Sequence, residues 1–155
     1  MNRRHIAILS LTALLGLSPS LPTAAAEDRG TKDEAKAMVD AAFDHMKKVG
    51  ADKALKDFTT DKAWAKKDLY VFVMDSKGTF TAHGANEKLV GRDMSNMKDP
   101  NGKAIFPAMM EQAAKGSGWV DYDWAHPQTK KVEGKSSYVR KTPGGDSVIG
   151  VGIYR

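Results

Sequence analysis

Seven side chains carry chemistry that a small-ligand site could use. Lys135 offers a cation, His83 an imidazole donor, and Tyr70, Tyr122 and Tyr138 phenol donors, while Trp124 and Phe106 offer aromatic walls. Small-ligand sites are mainly apolar with a few converging polar groups, and a carboxylate is best met by a cation plus hydrogen-bond donors. A neutral His83 can donate one hydrogen bond, and a protonated one also adds charge. Each residue has a plainer alternative. Lys135 could be a solvated strand lysine, and His83 a satisfied polar residue at a strand end. Tyr122 and Trp124 share a strand face, so both fill a core or both line a site. Arg92 could clamp a carboxylate in bidentate fashion, although solvent suits it better. Asp93 fits a loop cap through its own backbone, and Asp99 belongs to the Asp99-Pro-Asn-Gly102 turn.

Reaction chemistry finds little support. There is no cysteine, hence no thiol nucleophile, thiolate metal site or iron–sulfur cluster. Neither G-x-S-x-G nor H-E-x-x-H occurs, nor does a phosphate-cradling glycine loop. His45, His83 and His126 fall on separate elements, with His45 expected on the exposed side of a helix. Asp121, Asp123 and His126 are close in sequence, but a metal there is not the favoured reading. The expectation is therefore a binding protein with no cofactor, not an enzyme.

The elements that must position these residues can be read from periodicity. Thr31-Lys-Asp-Glu34 has capping-box form, and Ala35, Met38, Val39, Ala42, Phe43 and Met46 follow at helical spacing, which predicts an amphipathic helix over 32–49 ended by Gly50. A shorter helical turn over 52–58 adds Leu55 and Phe58. Leu69-Tyr-Val-Phe-Val-Met-Asp75 then reads as a strand with two apolar faces, turning through Gly78 into a second strand that ends at His83. A three-residue loop with a bulge pairs Met74 with Phe80, Phe72 with Ala82 and Val71 with His83. A two-residue loop would instead pair Tyr70 with His83, and both registers stay open. A polar excursion from Gly84 to Gly116 carries a short helix with Phe106, Met109, Met110 and Ala113. Strands follow at 118–124, 135–141 and 148–154, with Val120, Tyr122 and Trp124 on one face of the first. In the last, Gly150 and Gly152 share a face that another group can approach closely, opposite Ile149, Val151 and Ile153. The order gives an α+β fold with a roughly five-stranded antiparallel sheet. The long helix should cover one sheet face and the excursion should form a lid over the other.

The chain has 155 residues, with 24 basic and 19 acidic. Arg3 and Arg4, the apolar run 6–17 and Ala24-Ala-Ala26 read as a secretory signal peptide over 1–26, leaving one domain over 27–155. Loss of the two arginines leaves a charge of about +3, mixed along the chain, with no basic tract for nucleic acid.

The ordered set of strand, Gly78 turn, His83, Leu89-Val-Gly91-Arg-Asp93, Asp99-Pro-Asn-Gly102, Gly116-Ser-Gly-Trp-Val-Asp-Tyr122-Asp-Trp124, Lys135-Ser-Ser-Tyr138 and Ile149-Gly-Val-Gly-Ile-Tyr154 resembles the single Cache domain of the second type, a PAS-like extracytoplasmic sensor family. The resemblance covers nearly all of residues 27–155. It implies a pocket on the sheet for a small molecule, commonly an organic acid, and it strengthens Lys135 as a site residue. Family members usually form the outer half of a transmembrane receptor. Here the sequence stops one residue after Tyr154, so the expectation is a free-standing periplasmic module working with a separate membrane receptor. The alternatives are an interaction module with a collapsed core and, further off, a small enzyme on a PAS-like fold.

Overall fold

The computed structural model describes residues 29–155; the signal-peptide reading over 1–26 lies outside them. The first helix, α1, is Lys32–Val49. Thr31 Oγ1 accepts from the Glu34 amide and the Glu34 carboxylate accepts from the Thr31 amide, so two otherwise orphaned donors are satisfied at its start. Gly50, at φ 88°, stops it and leads into α2, Ala51–Thr60. Ala35, Val39, Ala42 and Met46 of α1 and Phe58 of α2 form one buried stripe.

After a 3-10 turn at Lys62–Trp64 come β1 (Ala65–Lys66), β2 (Leu69–Met74) and β3 (Phe80–His83). Then follow a 3-10 turn at Glu87–Leu89, helix α3 (Ile105–Ala114), β4 (Ser117–Ala125), β5 (Val132–Lys141) and β6 (Val148–Tyr154). The sheet runs β1-β2-β6-β5-β4, fully antiparallel, with β3 also pairing β2. It has six strands when the two-residue β1 is included.

All six residues of β2 are buried, because each face of the sheet is covered. Leu69, Val71, Val73, Ile149 and Val151 pack against α1 and α2. Tyr70, Phe72, Met74 and Val148 face α3 and the excursion before it. The two layers expected from the sequence are thus present, with the site on the α3 side.

The β2–β3 register differs from both expected pairings. Met74 does pair with Phe80, but Val73 pairs with Ala82 and Phe72 with His83. Thr81 is an extra residue in β3, a bulge that shifts the ladder by one. The shift keeps Phe80 and His83 on the same face as Tyr70 and Phe72, while Ala82 turns toward α2.

Candidate ligand pocket

Lys135 lies in the middle of β5, opposite Tyr122 on β4 and Tyr154 on β6. Its side chain crosses β6 over Gly152, where a Cβ would overlap the lysine chain and the Ser137 hydroxyl. Gly150 plays the same part for the Phe72 ring. Both glycines are needed because aromatic and lysine side chains lie flat on the strand.

Lys135 is 1% exposed. Nζ donates to the Tyr70 hydroxyl at 2.6 Å and lies 4.0 Å from the Tyr70 ring centre and 4.9 Å from that of Tyr154. Among the described residues no carboxylate comes within ion-pair distance of it. Burial pushes its pKa down to about 7, against a smaller opposing pull from Asp68.

The surrounding phenols are ordered donors. Tyr154 donates to the Ala125 carbonyl at 2.8 Å and so accepts from Tyr70 at 3.2 Å, giving a chain from Lys135 through two phenols to a backbone carbonyl. Tyr122 shares a 2.9 Å hydrogen bond with Ser137 Oγ. Burial raises the pKa of all three phenols, so they stay neutral. His83 Nδ1 accepts from the Asn86 amide at 3.0 Å, which leaves the ring proton on Nε2. Burial, followed by the nearby Lys135 charge, pushes the His83 pKa down to about 3. The ring packs on Tyr70 at 4.8 Å and edge-on to Phe80 at 5.1 Å.

Tyr70, His83, Tyr122 and Lys135 line one cavity, closed by Phe72, Met74, Phe80, Met94, Met97, Ile105, Phe106, Met109 and Trp124, with Tyr154 and Ser137 behind it. Of the lining residues only Met97, Phe106 and Trp124 are not buried, and they mark the mouth. The space open to the centres of water-sized molecules is about 20 Å³, enough for one water or a group of that size. The lid is clipped to β4 by Asp99. Its carboxylate accepts from the amides of Lys103 and Asn101 at 2.9 Å each and Asp123 at 3.2 Å, while Asn101 Nδ2 donates to Asp123 at 2.7 Å. These amides, Lys103 foremost, hold the Asp99 carboxyl below its usual range.

Tyr70, His83, Phe106, Tyr122, Trp124 and Lys135 therefore meet in one place, and Tyr138 does not. Tyr138 sits on the α1 face, stacked on Trp119 at 5.3 Å, with its hydroxyl donating to Ser117 Oγ at 2.8 Å. Alternation explains the correction: Tyr138 is three residues from Lys135 and so points to the other side of β5. Tyr154 joins the polar cluster although sequence reasoning passed over it; it shares strand parity with Gly150 and Gly152, which was the available signal. Arg92 is exposed, and Asp93 accepts from the Ser95 amide within its loop. His45 is not on an open helix face. It bonds Asp57 at 2.8 Å and packs on Trp64, half-buried between α1 and α2. His126 is buried, with Nε2 3.7 Å from Asp68 and its ring on Tyr154 at 4.6 Å.

The family model for Single Cache domain 2 matches residues 21–155. The methyl-accepting chemotaxis protein McpP of Pseudomonas putida is 33% identical over 88 residues, covering 56% of this chain and 16% of that protein. This chain thus matches only a small part of that relative's length. A methyl-accepting chemotaxis protein of Vibrio parahaemolyticus superposes with a TM-score of 0.69 at 27% identity, covering 79% of this chain and 87% of the other. A periplasmic sensor domain of a chemotaxis protein gives 0.67 at 28% identity, covering 86% and 99%. A Cache chemosensory domain, solved as the structural basis for carboxylic acid recognition, gives 0.66 at 26% identity, covering 79% and 91%. The α+β architecture with its antiparallel sheet agrees with these solved structures, and the chain belongs to the single Cache domain 2 family of sensor domains.

Proposed function

We propose that this domain is a periplasmic sensory module that binds a short-chain organic acid and passes its occupancy to a separate membrane partner. One observation carries the reading: a lysine whose whole side chain is buried, the residue being 1% exposed, with no acidic partner among the described residues. A buried charge is costly unless paired, and a ligand carboxylate is the missing partner. The Nε2–H of His83 and the Tyr122 hydroxyl stand beside it as neutral donors. The methionines and aromatic rings suit a short apolar body, and none of the lining residues is acidic. Carboxylic acid recognition by a similar Cache domain supports the ligand class, and the chemotaxis relatives support a signalling role. No helix among the described residues is long and apolar enough to cross a membrane.

Binding requires the cavity to widen beyond its present 20 Å³ or so. Met94, Met97 and Met109 are the walls best able to yield, since an unbranched thioether changes rotamer at little cost. The same small volume favours a second reading, an interaction module whose pocket stays collapsed. A thermal-shift screen with small carboxylates separates them. A ligand at 100 times its dissociation constant stabilises the fold by about 2.7 kcal/mol, and no shift from any carboxylate favours the collapsed module.

A further inference from the structure

We propose that the pocket takes up a carboxylate together with one proton, carried by Lys135, so that above neutral pH its occupancy follows the undissociated acid rather than the carboxylate alone. This rests on the carboxylate reading above and adds a coupling to pH.

The geometry limits where the proton can go. Lys135 is faced from β2 by Tyr70 and, further off, by Asp68 just before that strand; from β3 by His83; from β4 by Tyr122; and from β6 by Tyr154. Among the lining residues, α3 and the lid contribute only Met94, Met97, Ile105, Phe106 and Met109, none of them titratable. The phenols are neutral and remain so, because burial opposes their ionisation. His83 cannot gain a proton without losing the bond its Nδ1 accepts from Asn86, and its pKa of about 3 keeps it neutral. Asp68 lies outside the cavity: Oδ1 accepts from the Gly30 amide at 2.6 Å, and Oδ2, with no hydrogen bond, lies 3.7 Å from His126 Nε2. Among the residues lining the cavity, Lys135 alone can change charge near neutrality.

Without ligand, an ammonium in this box lacks a counter-charge and releases its proton at a pKa of about 7. A carboxylate beside Nζ restores the partner and raises that pKa. Below pH 7 the amine is already charged and binding is insensitive to pH. Above it, binding must draw a proton from solution, so apparent affinity falls about tenfold per pH unit until the pKa of the occupied site is reached. Carboxylate plus proton is thermodynamically the free acid, hence the dependence on the undissociated form.

Calorimetric titration of residues 27–155 with acetate tests this. Paired sulfonate and amine buffers of differing ionisation enthalpy, MES and imidazole at pH 6 and HEPES and Tris at pH 8, count the protons taken up. The expected uptake is about 0.9 proton at pH 8 and about 0.1 at pH 6, with affinity about tenfold weaker at pH 8. Uptake near zero at pH 8, with equal affinity at both pH values, overturns the proton coupling and leaves carboxylate binding standing. No acetate binding at either pH overturns both. Lys135→Arg stays charged throughout and should lose the uptake; uptake retained in this variant assigns the proton elsewhere and overturns the role of Lys135. If that variant does not fold, the wild-type buffer pairs still decide.

Discussion

Replacing Lys135 by methionine should make the ligand-free domain more stable while abolishing carboxylate binding. Burial lowers the Lys135 pKa from 10.5 to about 7. The charged form therefore weakens the fold by up to about 4–5 kcal/mol, at 1.36 kcal/mol per pKa unit. The sign follows from proton counts. Between pH 7 and 10.5 the unfolded chain holds a proton on this lysine that the folded one lacks, so stability rises with pH across that window. At and below the folded pKa the full penalty applies. Methionine matches the volume of the lysine stem and removes the charge. It also removes the hydrogen bond to Tyr70 and the cation–π contacts, together roughly 2–4 kcal/mol. The net gain at pH 6 should be about 1–3 kcal/mol, shrinking toward pH 9. Urea denaturation of both proteins at pH 6 and pH 9 measures it, and the wild-type-minus-variant difference cancels titrations common to the two. A variant less stable than wild type at pH 6, with no pH dependence in the difference, would refute the idea of an uncompensated charge and make Lys135 a structural residue.

Other outcomes follow from the same geometry. Gly152→Ala places a methyl group on the Lys135 chain and should cost about 1–3 kcal/mol in urea melts and weaken acetate binding. Tyr138→Phe should leave acetate affinity unchanged and cost under about 1 kcal/mol, whereas Tyr122→Phe should weaken binding without unfolding the domain. In nitrogen NMR, His83 should remain the neutral Nε2–H tautomer from pH 8 down to pH 5; a titration near pH 6.5 would contradict its burial. Asp99→Ala should unclip the lid, seen as faster hydrogen exchange at the amides of Asn101, Lys103 and Asp123 with the helix α1 amides unchanged.

What the sequence disclosed was local. The bounds of α1 follow from a capping box, a three–four apolar repeat and a glycine, all within a few residues of one another. The shared face of Tyr122 and Trp124 follows from strand alternation, as does the approach over Gly150 and Gly152. The β2–β3 register did not follow, because the bulge at Thr81 is held by tertiary pairing. Gly91 donates to the Phe80 carbonyl, Phe80 donates to that of Arg92, and Thr79 bridges Asp93, so the excursion after β3 fixes the strand's bend. Six of the seven expected site residues share a cavity: Tyr70, Tyr122, Trp124 and Lys135 face one way by strand alternation, His83 joins them through the bulge in β3, and Phe106 reaches the cavity from α3. Tyr138 was grouped with them by chemical type when its parity from Lys135 already placed it on the other face. The depth of Lys135 was beyond reach of the sequence: a strand lysine is ordinarily solvated, and only the packing of Tyr70, Tyr154 and Gly152 around it removes the water.

The most direct test is a crystal structure of residues 27–155 grown with saturating acetate at pH 6. The carboxylate should lie inside the cavity, with one oxygen about 2.7–2.9 Å from Lys135 Nζ and the other within hydrogen-bond distance of His83 Nε2 or the Tyr122 hydroxyl. A cavity still filled by Met94, Met97 and Met109, with Lys135 bonded only to Tyr70, would contradict it.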